Sequence, residues 1–436
     1  MIYWAPLLHM YQPPTQIHMI LDKVCRESYR PLINVFKSHS HAKVTLNISG
    51  CLTEMLHEHG FQDVVDDLRD LSERGQLEFV GSAKYHAILP LIPQEEALRQ
   101  ITRNNVTNSR FFGSSYRPMG FFPPEMAYSE KIVQPIIETG HKWVLISGVA
   151  CPTHWPVDRV DFIKQGSDEI SVFFRDDILS NNISFDRISG PEFIDKLKNV
   201  QSYSGKKDIY VITAMDAETF GHHILNWEKL FLADVYQRIY VSNGKANGNG
   251  DSYDPIASRT KEMIELGVVE PDVKVVKISD LLNLFPRGYQ IEPKPSSWST
   301  SAMDIAFQNP FPLWNDPANP LHKMLWGHLN LTIEMVNEAQ LARSAKAKTS
   351  AEVARVMLDP ALHSCQFWWA SQRPMWDVNM VYRGLLEQRE AMMNAYKAIA
   401  SDDFDEHTKR EFQLKFLASQ KIQDMIVDLL VTDNKA

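Results

Sequence analysis

The segment DIYVITAMDAETFGHH, residues 208–223, places two acidic side chains directly after a run of apolar residues. Such an apolar run is typical of a buried β-strand, and Asp216 and Glu218 follow it with one residue between them. Taking an ionised carboxylate out of water is costly unless the carboxylate has a partner. We therefore expect these two acids either to be neutralised by a structural partner or to be held there for chemistry.

Similar runs recur along the first two thirds of the chain and alternate with amphipathic segments. The predicted strands are MIYWAPLL, AKVTLNIS, QLEFVG, PMGFF, KWVLIS, EISVFF and DIYVITAM, with VKVVKISDLL as further barrel material. Strands that alternate with helices form parallel sheets through crossover connections. About seven or eight strands before residue 290 suit a closed barrel better than a small open sheet.

Helices are predicted between these strands and throughout the last third of the chain. The segments between strands are FQDVVDDLRDLSERG with Gly75 as C-cap, PQEEALRQITRNNVTNSRFF, SEKIVQPIIETG and SGPEFIDKLKNVQ. A Gly- and Asn-rich stretch, residues 241–255, is predicted to be a surface loop. Prolines cluster over residues 285–301, and strand patterns nearly vanish beyond them. We expect a barrel domain, residues 1–290, and an α-helical domain, residues 291–436.

The composition narrows the classes of partner. A formal net charge of −9 and a pI near 5.9 argue against nucleic acid and anionic membranes as partners. The chain has four Cys and no CxxC, and no HExxH motif appears, so we expect neither a metal nor another cofactor. No signal peptide or membrane-spanning run is evident, which predicts a soluble, cytoplasmic protein. The sequence leaves the oligomeric state open.

Polar residues follow the predicted strands, and in a parallel barrel the chemistry lies at these strand ends. The candidates are His9, Tyr11, Gln12, His86, Glu125, Arg175, Asp216, Glu218 and His222. Glycosidic bond cleavage needs two carboxyl groups, and Glu125 and Asp216 follow different strands. Neutral sugars also need hydrogen bonds and aromatic faces, which this set offers.

Each candidate also has a purely structural explanation. Glu125 follows two prolines and could be a first-turn helix acid, and Asp216 could be a helix N-cap. His9 could be a buried core histidine, and Arg175 could form a surface ion pair with Asp176. Only their joint position at one barrel face favours the functional interpretation.

Several ordered motifs resemble glycoside hydrolase family 57 over nearly the whole chain. They are LHMYQPP, GQLEFVGSAKYHAILPLIP, GFFPPEMAYS, FFRDDILSNNISF, MDAETFGHH and HSCQFWW. In this resemblance GFFPPEMAYS carries the nucleophile, Glu125, and MDAETFGHH carries the acid/base, Asp216. The first and last motifs depart from the family pattern, because Tyr11 replaces a histidine and Cys365 stands where an aspartate is usual. In this resemblance both residues belong to the groups expected to line the glucan subsite.

The resemblance implies an incomplete (β/α)7 barrel followed by an α-helical domain that completes the substrate cleft. It implies a retaining hydrolase or transglycosylase acting on an α-glucan or oligosaccharide, of the α-amylase or 4-α-glucanotransferase type. A retaining mechanism needs the two carboxyl groups about 5–5.5 Å apart. The residues expected to contact the sugar are His9, Tyr11, Gln12, His86, Arg175, Glu218, His222, Trp298, Trp314, Cys365 and Trp368. Among them, the three tryptophans are expected to be stacking platforms from the helical domain.

Two other functions remain open at this stage. One is a metal-dependent polysaccharide deacetylase, for which the histidines of HSH, residues 39–41, and HEH, residues 57–59, are the available ligands. Both motifs lie in helical or loop segments away from the strand ends. The other is a non-catalytic glycan-binding relative, which the Tyr11 and Cys365 departures favour.

Overall fold

The computed structural model describes residues 1–242, 273–373 and 376–432. The chain folds into two compact units. The barrel unit comprises Met1–Gln12, Gln16–Lys84 and Pro93–Trp298, and the helical unit comprises Pro13–Thr15, Tyr85–Ile92 and Ser299–Ala436. From residue 243 onward, the loop predicted over residues 241–255 lies outside the described residues.

Ten strands are described, all of them in the barrel unit. They are β1 Ile2–Met10, β2 Val44–Ile48, β3 Leu77–Val80, β4 Gly120–Phe121, β5 Trp143–Ser147, β6 Val160–Gln165, β7 Asp168–Arg175, β8 Ile209–Asp216, β9 Val273–Val275 and β10 Arg287–Gln290. One sheet has the order β3-β2-β1-β8 with β9 also on β1, and the other has the order β10-β6-β7-β5-β4. Seven of the strands, β1 to β5 with β7 and β8, form the parallel ladders of the barrel. The short strands β9 and β10 also pair in parallel, with β1 and β6.

The two sheets meet at two places. A parallel bridge between Gly81 and Phe121 joins β3 to β4. Between β7 and β8, the Asp176 backbone N–H donates to the Ile212 carbonyl at 2.8 Å, without a regular ladder among the described strands. The predicted incomplete barrel of seven parallel strands is therefore confirmed, whereas the expectation of a fully closed barrel is wrong.

A hairpin and an edge strand were not predicted. β6 and β7 pair antiparallel around Gly166, whose φ of +59° lies in the left-handed region that glycine adopts without strain. β10 then pairs with β6 at the edge of the sheet. The β6 residues VDFIKQ and the β10 residues RGYQ contain too few apolar residues to give a strand pattern, because both strands lie near the sheet edge.

The helices of the barrel unit include all four that the sequence predicts. The described helices are α1 His18–Val24, α2 Arg30–Ser38, α3 Gly50–Glu58, α4 Gln62–Glu73, α5 Gln94–Phe112, α6 Val133–Glu138, α7 Asp177–Asn181, α8 Gly190–Ser204, α9 Asp234–Ser242 and α10 Leu281–Leu284. α8 begins at a capping box between Ser189 and Glu192 and ends at Gly205. A π-helical turn, Cys25–Tyr29, separates α1 from α2 and interrupts the helical period that a sequence pattern would need.

The helical unit contains six further helices in its described part. They are α11 Ala302–Ala306, α12 Pro320–Ala339, α13 Ala345–Ala361, α14 Cys365–Trp368, α15 Val378–Ala400 and α16 Glu406–Thr432. The predicted change to helical structure in the last third of the chain is confirmed. Among the described residues, no helix combines the length and the apolar character needed to cross a bilayer.

The barrel interior is a packed apolar core built from alternate strand residues. Trp143, Phe173 and Tyr210 are fully or almost fully buried there and meet edge to face. Gly120 in β4 lies against the Trp143 ring, so a larger residue has no room at this position.

The substitution Gly120→Ala tests this packing. Its Cβ would lie 2.0 Å from Cζ2 of the buried Trp143, so we expect a loss of about 1–3 kcal/mol in the free energy of unfolding. The urea midpoint measures the change. The control is Gly327→Ala in α12. Apart from the nearby backbone of the helix itself, no atom lies within 4 Å of the Cβ that this substitution adds. Replacing a helical glycine with alanine raises the free energy of unfolding by at most about 1 kcal/mol. Equal stability of Gly120→Ala and wild type would contradict this account of the core.

Candidate active site

The carboxyl end of β1 brings the first site residues together. His9 pairs in register with Asn47 of β2 on one side and with Asp216 of β8 on the other. Neighbouring strands lie about 4.8 Å apart, so these three side chains converge at one edge of the sheet. The His9 Nδ1 lies 2.6 Å from the Asn47 Oδ1, which orients the imidazole. Burial lowers the pKa of His9 to about 4, so the ring is neutral at pH 7.

Glu125 sits in a tight turn after β4. The single 3₁₀ turn Pro124–Met126 places Glu125 at φ +58° and ψ 17°, the left-handed region that non-glycine residues seldom adopt. Trp298 holds this residue at both ends: its backbone N–H donates to the Glu125 carbonyl at 3.1 Å, and its indole Nε1–H donates to Oε2 at 2.8 Å. A strained backbone held by its surroundings is typical of functional sites.

Four rings connect Glu125 with the end of β1. His9 stacks between Phe122, at a centroid distance of 4.9 Å, and Tyr11, at 6.1 Å. Trp298 meets both His9 and Phe122 edge to face. Tyr11, which replaces the expected second histidine of the first motif, therefore lies nearly parallel to the His9 ring and is only partly buried.

The two candidate catalytic carboxyls influence each other electrostatically. Burial, followed by the charge of Asp216, raises the pKa of Glu125 to about 8, against the hydrogen bond from Trp298. Burial raises the pKa of Asp216 to about 6, against the opposite charge of Arg175. Both side chains remain partly exposed, so each has an open side. At a pH between these two pKa values, Glu125 and Asp216 together hold one proton.

Glu218 lies beside Asp216 but is bound by protein groups. Its Oε1 accepts a hydrogen bond from the Tyr29 hydroxyl and another, at 2.9 Å, from the Gln12 Nε2. The Gln12 amide is fixed in turn by Gln16, whose Nε2 donates to it at 2.8 Å. Burial and the charge of Asp216 raise the pKa of Glu218 to about 8. This network connects the Glu218 carboxylate with the Gln12 amide and the Tyr29 hydroxyl.

Arg175 has most of its donors engaged within the barrel unit. It donates to the Ala214 carbonyl at 2.8 Å, to Asp177 at 2.7 Å and to Asn181 at 2.9 Å. The guanidinium also lies 5.9 Å from the centroid of the Trp298 ring. Arg175 is thus buried, and its charge acts on Asp216. It does not form a surface ion pair with Asp176, which instead caps α7.

His222 belongs to the loop after β8. Its Nδ1 lies 2.6 Å from the Glu27 Oε2. The preceding Gly221 has a φ of +102°, and a Cβ there would lie 1.9 Å from the Glu27 carbonyl oxygen. Glycine is therefore required for this loop to approach the π-helical turn closely.

The remaining predicted site residues lie in the helical unit. His86 is fully buried at a φ of +57°, and its Nδ1 lies 2.8 Å from the Ser364 Oγ. Trp368 and Cys365 are partly exposed. Trp314 has no exposed surface, and its carbonyl accepts the Trp326 indole N–H at 2.8 Å. The expectation that Trp314 is a stacking platform is wrong, because a fully buried ring presents no face to a sugar.

The histidines considered for a deacetylase metal have other contacts. His39 bonds to the Val35 carbonyl and His41 to the Tyr236 carbonyl, at 2.8 and 2.9 Å. His57 lies 2.6 Å from Gln62. Across the described residues, no group of three or more His, Cys, Asp or Glu side chains is placed to hold a metal ion.

Three important contacts were missed at the level of sequence. Asn47 is the penultimate residue of the strand VTLNI, and an amide inside this mostly apolar run was a usable signal. Tyr29 lies in the π-helical turn, and no pattern indicates that it reaches Glu218. Trp298 was predicted to stack on a sugar from the helical domain, whereas it belongs to the barrel unit and donates to Glu125.

Comparison with known proteins identifies a family and several similar proteins. The model of the family described as glycosyl hydrolase family 57 matches residues 5–246. An alpha-amylase of Pyrococcus horikoshii is 26% identical over 67% of this chain and 48% of its own length. A 4-alpha-glucanotransferase of Thermococcus litoralis is 28% identical over 55% of this chain and 36% of its own length. The chain thus spans about half or less of the length of these two relatives.

The crystal structure of a branching enzyme from Thermococcus kodakaraensis shares the fold. It superimposes with a TM-score of 0.67 and covers 95% of this chain and 94% of its own, at 16% identity. At so low an identity the likeness concerns the fold alone.

The substitution Trp298→Phe tests the hold on Glu125. It keeps a ring but removes the indole donor that stabilises the ionised carboxylate, so we expect the pKa of Glu125 to rise above its value of about 8. A ¹³C NMR titration of the carboxyl carbons measures it, with Glu125→Gln identifying the resonance. Trp155→Phe, which changes a barrel-unit tryptophan packed on Phe174, serves as control. An unchanged or lower pKa in Trp298→Phe would contradict the assignment.

Proposed function

The chain belongs to glycosyl hydrolase family 57, and from this membership we propose that it is a retaining glycoside hydrolase or transglycosylase acting on α-glucans. The observation that carries the proposal is the pair Glu125 and Asp216. They follow two different strands, are partly exposed, and lie close enough for the charge of Asp216 to raise the pKa of Glu125. Two carboxyls that share one proton are what this chemistry requires.

The names of the relatives support the substrate class. They are an alpha-amylase and a 4-alpha-glucanotransferase. Both names refer to enzymes of α-glucan chemistry, so we propose an α-glucan or a derived oligosaccharide as substrate.

In the proposed mechanism Glu125 attacks the anomeric carbon while Asp216 protonates the leaving oxygen. The resulting glycosyl-enzyme is an ester of Glu125. Asp216, now ionised, takes a proton from water or from a sugar hydroxyl. The acceptor oxygen then attacks the anomeric carbon, and the bond from that carbon to the Glu125 carboxylate breaks, which restores Glu125. Water as acceptor gives hydrolysis, and a sugar hydroxyl gives transfer.

In the proposed mechanism, the proton that the two carboxyls share must move from Glu125 to Asp216 before reaction. Before a sugar binds, the shared proton lies on the nucleophile Glu125 near pH 7, because the pKa of Glu125 is higher than that of Asp216. We propose that the bound sugar draws the proton to Asp216, whose hydrogen bond to the glycosidic oxygen requires it. The indole N–H of Trp298 supports this exchange, because it stabilises Glu125 as an anion.

Roles for the other residues follow from their contacts. We propose that Glu218 and Gln12 orient the loop after β8 and that Arg175 stabilises ionised Asp216, rather than contacting sugar. Contacts of sugar with His9, Tyr11, His86, His222, Cys365 and Trp368 stay predictions from the family resemblance.

The variants Glu125→Gln and Asp216→Asn test the roles of the pair. We expect each to lower kcat/KM on maltooligosaccharides by about 10²–10⁴-fold, the usual contribution of such groups. A glycosyl fluoride, whose leaving group needs no protonation, should restore glycosyl-enzyme formation in Asp216→Asn but not in Glu125→Gln. Glu130→Gln, an exposed carboxyl of the same loop, is the matched control.

Product analysis of the wild-type protein completes the test of function. Shorter products alone indicate hydrolysis, and longer ones indicate transfer. Saccharide binding without any turnover would instead support a non-catalytic relative, and wild-type activity in either carboxyl variant would overturn the assignment of the pair.

The pH dependence of kcat/KM should be bell-shaped. Below the pKa of about 6 both carboxyls are protonated and the nucleophile is lost, whereas above about 8 both are ionised and the acid is lost. We expect the maximum between these limits. Initial rates at subsaturating maltooligosaccharide over pH 4–10 measure the profile, with stability checked at each pH. A flat profile through this range would contradict a shared proton.

A further inference from the structure

The π-helical turn Cys25–Tyr29 contacts the loop after β8, residues 217–224, which begins directly after Asp216. The Ser28 Oγ donates to the Ala217 carbonyl at 2.9 Å, one residue beyond Asp216. Ser28 has no exposed surface, so breaking this bond would leave its hydroxyl unpaired in the interior. The contact therefore fixes the path of the chain at the point where it leaves β8.

Tyr29 binds the next part of the same loop. Its hydroxyl donates to the Oε1 of Glu218, two residues after Asp216, and the Tyr29 side chain is fully buried. The backbone carbonyl of Glu218 accepts a hydrogen bond from the His223 N–H at 2.8 Å. The residue that Tyr29 holds thus also closes the loop, so a shift of Glu218 would move the loop as a whole.

A third contact involves the later part of the loop. The His222 Nδ1 lies 2.6 Å from the Glu27 Oε2, and Gly221 approaches the Glu27 carbonyl so closely that a Cβ has no room. Residues one and two positions apart on a regular α-helix do not share a face. The π-helical turn departs from that period, and its consecutive residues Glu27, Ser28 and Tyr29 all reach one loop.

Asp216 depends on its backbone for its position. Among the described residues, no hydrogen bond or ion pair holds the Asp216 carboxylate itself, and Arg175 acts on it only through charge. Glu125, by contrast, is bound directly by the Trp298 indole. The placement of Asp216 therefore follows from β8 on one side and from the loop after β8 on the other.

We propose that the π-helical turn positions Asp216 for proton transfer to the leaving oxygen, and that Tyr29 is the principal positioning residue. The inference rests on the proposed function, in which Asp216 is the acid. Proton transfer requires the acid within hydrogen-bond reach of the glycosidic oxygen. A displacement of about 1 Å costs about 10²-fold in rate, so the hold on the loop matters for catalysis as well as for folding.

The substitution Tyr29→Phe, assayed on two kinds of substrate, tests this role. A maltooligosaccharide needs a proton on its leaving oxygen, whereas an α-maltooligosyl fluoride releases fluoride without one. We expect Tyr29→Phe to lower kcat/KM on maltooligosaccharides by about 10–100-fold and to change kcat/KM on the fluoride by less than about twofold. For the fluoride, kcat/KM covers only the steps up to the glycosyl-enzyme, in which Asp216 has no part. A general loss of structure would lower both values together.

Tyr236→Phe is the matched control. Tyr236 is fully buried like Tyr29, and its hydroxyl donates to the Lys43 carbonyl at 3.0 Å. Lys43 directly precedes β2, so this bond lies at the amino ends of the parallel strands, away from the site. Both variants lose one buried hydroxyl, and thermal unfolding compares their stability. We expect the ratio of the two kcat/KM values to stay at its wild-type level in Tyr236→Phe.

Ser28→Ala provides a second variant, which decides the question by the same criterion where Tyr29→Phe does not fold. It removes the bond to Ala217 and should lower the activity on maltooligosaccharides, relative to that on the fluoride, by about fivefold. Equal losses on both substrates, or no loss on either, would overturn the positioning role. Wild-type protein that turns over neither substrate would instead overturn the proposed function, and with it the role of Tyr29.

Discussion

The pairing of β1 with β8 determines where the chemistry of the barrel unit lies. It runs in register from Ile2 opposite Ile209 to His9 opposite Asp216, and every earlier residue of both strands is buried or nearly so. Because the apolar residues fill the barrel, the first positions that can hold polar groups are those at the carboxyl ends. Asp216 is thereby forced next to His9, and the loop that follows carries Glu218 back towards Gln12 and Tyr29.

Burial at that edge gives the site its electrostatic character. Three carboxyls, those of Glu125, Asp216 and Glu218, share a region in which the buried Arg175 is the nearby cation acting on Asp216. Burial raises the pKa of all three carboxyls, and the like charge of Asp216 raises those of Glu125 and Glu218 further. Burial also lowers the pKa of His9, so the imidazole beside Asp216 adds no charge of its own. The site therefore retains protons that exposed carboxyls would lose.

The strained backbone at Glu125 is the second feature on which the geometry of the site depends. Glu125 adopts a left-handed backbone conformation in the turn Pro124–Met126. This conformation persists because Trp298 donates hydrogen bonds to both the backbone carbonyl and the carboxylate of Glu125. The helical unit contains a comparable arrangement at His86, which is also left-handed and is held by Ser364. In both places hydrogen bonds from a distant part of the chain maintain a conformation that local preference disfavours.

The sequence by itself determined the order of strands and helices and the positions of the candidate acids. Both depend on local patterns: apolar runs mark buried strands, and polar residues directly after them mark strand ends. The pattern predicted α4, α5, α6 and α8 and indicated Glu125 and Asp216. It missed β6, whose residues are too polar to form a strand pattern, and with β6 it missed the hairpin to β7.

Only the tertiary structure decided which partners those residues have. The bond between Trp298 and Glu125 spans 173 positions, and that between Tyr29 and Glu218 spans 189. Burial decides whether Trp314 is a core residue or a ring on which a sugar can stack. Burial also decides whether a carboxyl keeps its proton. Burial is a property of the packed strands and helices rather than of any segment, because it is set by which residues from remote parts of the chain exclude water.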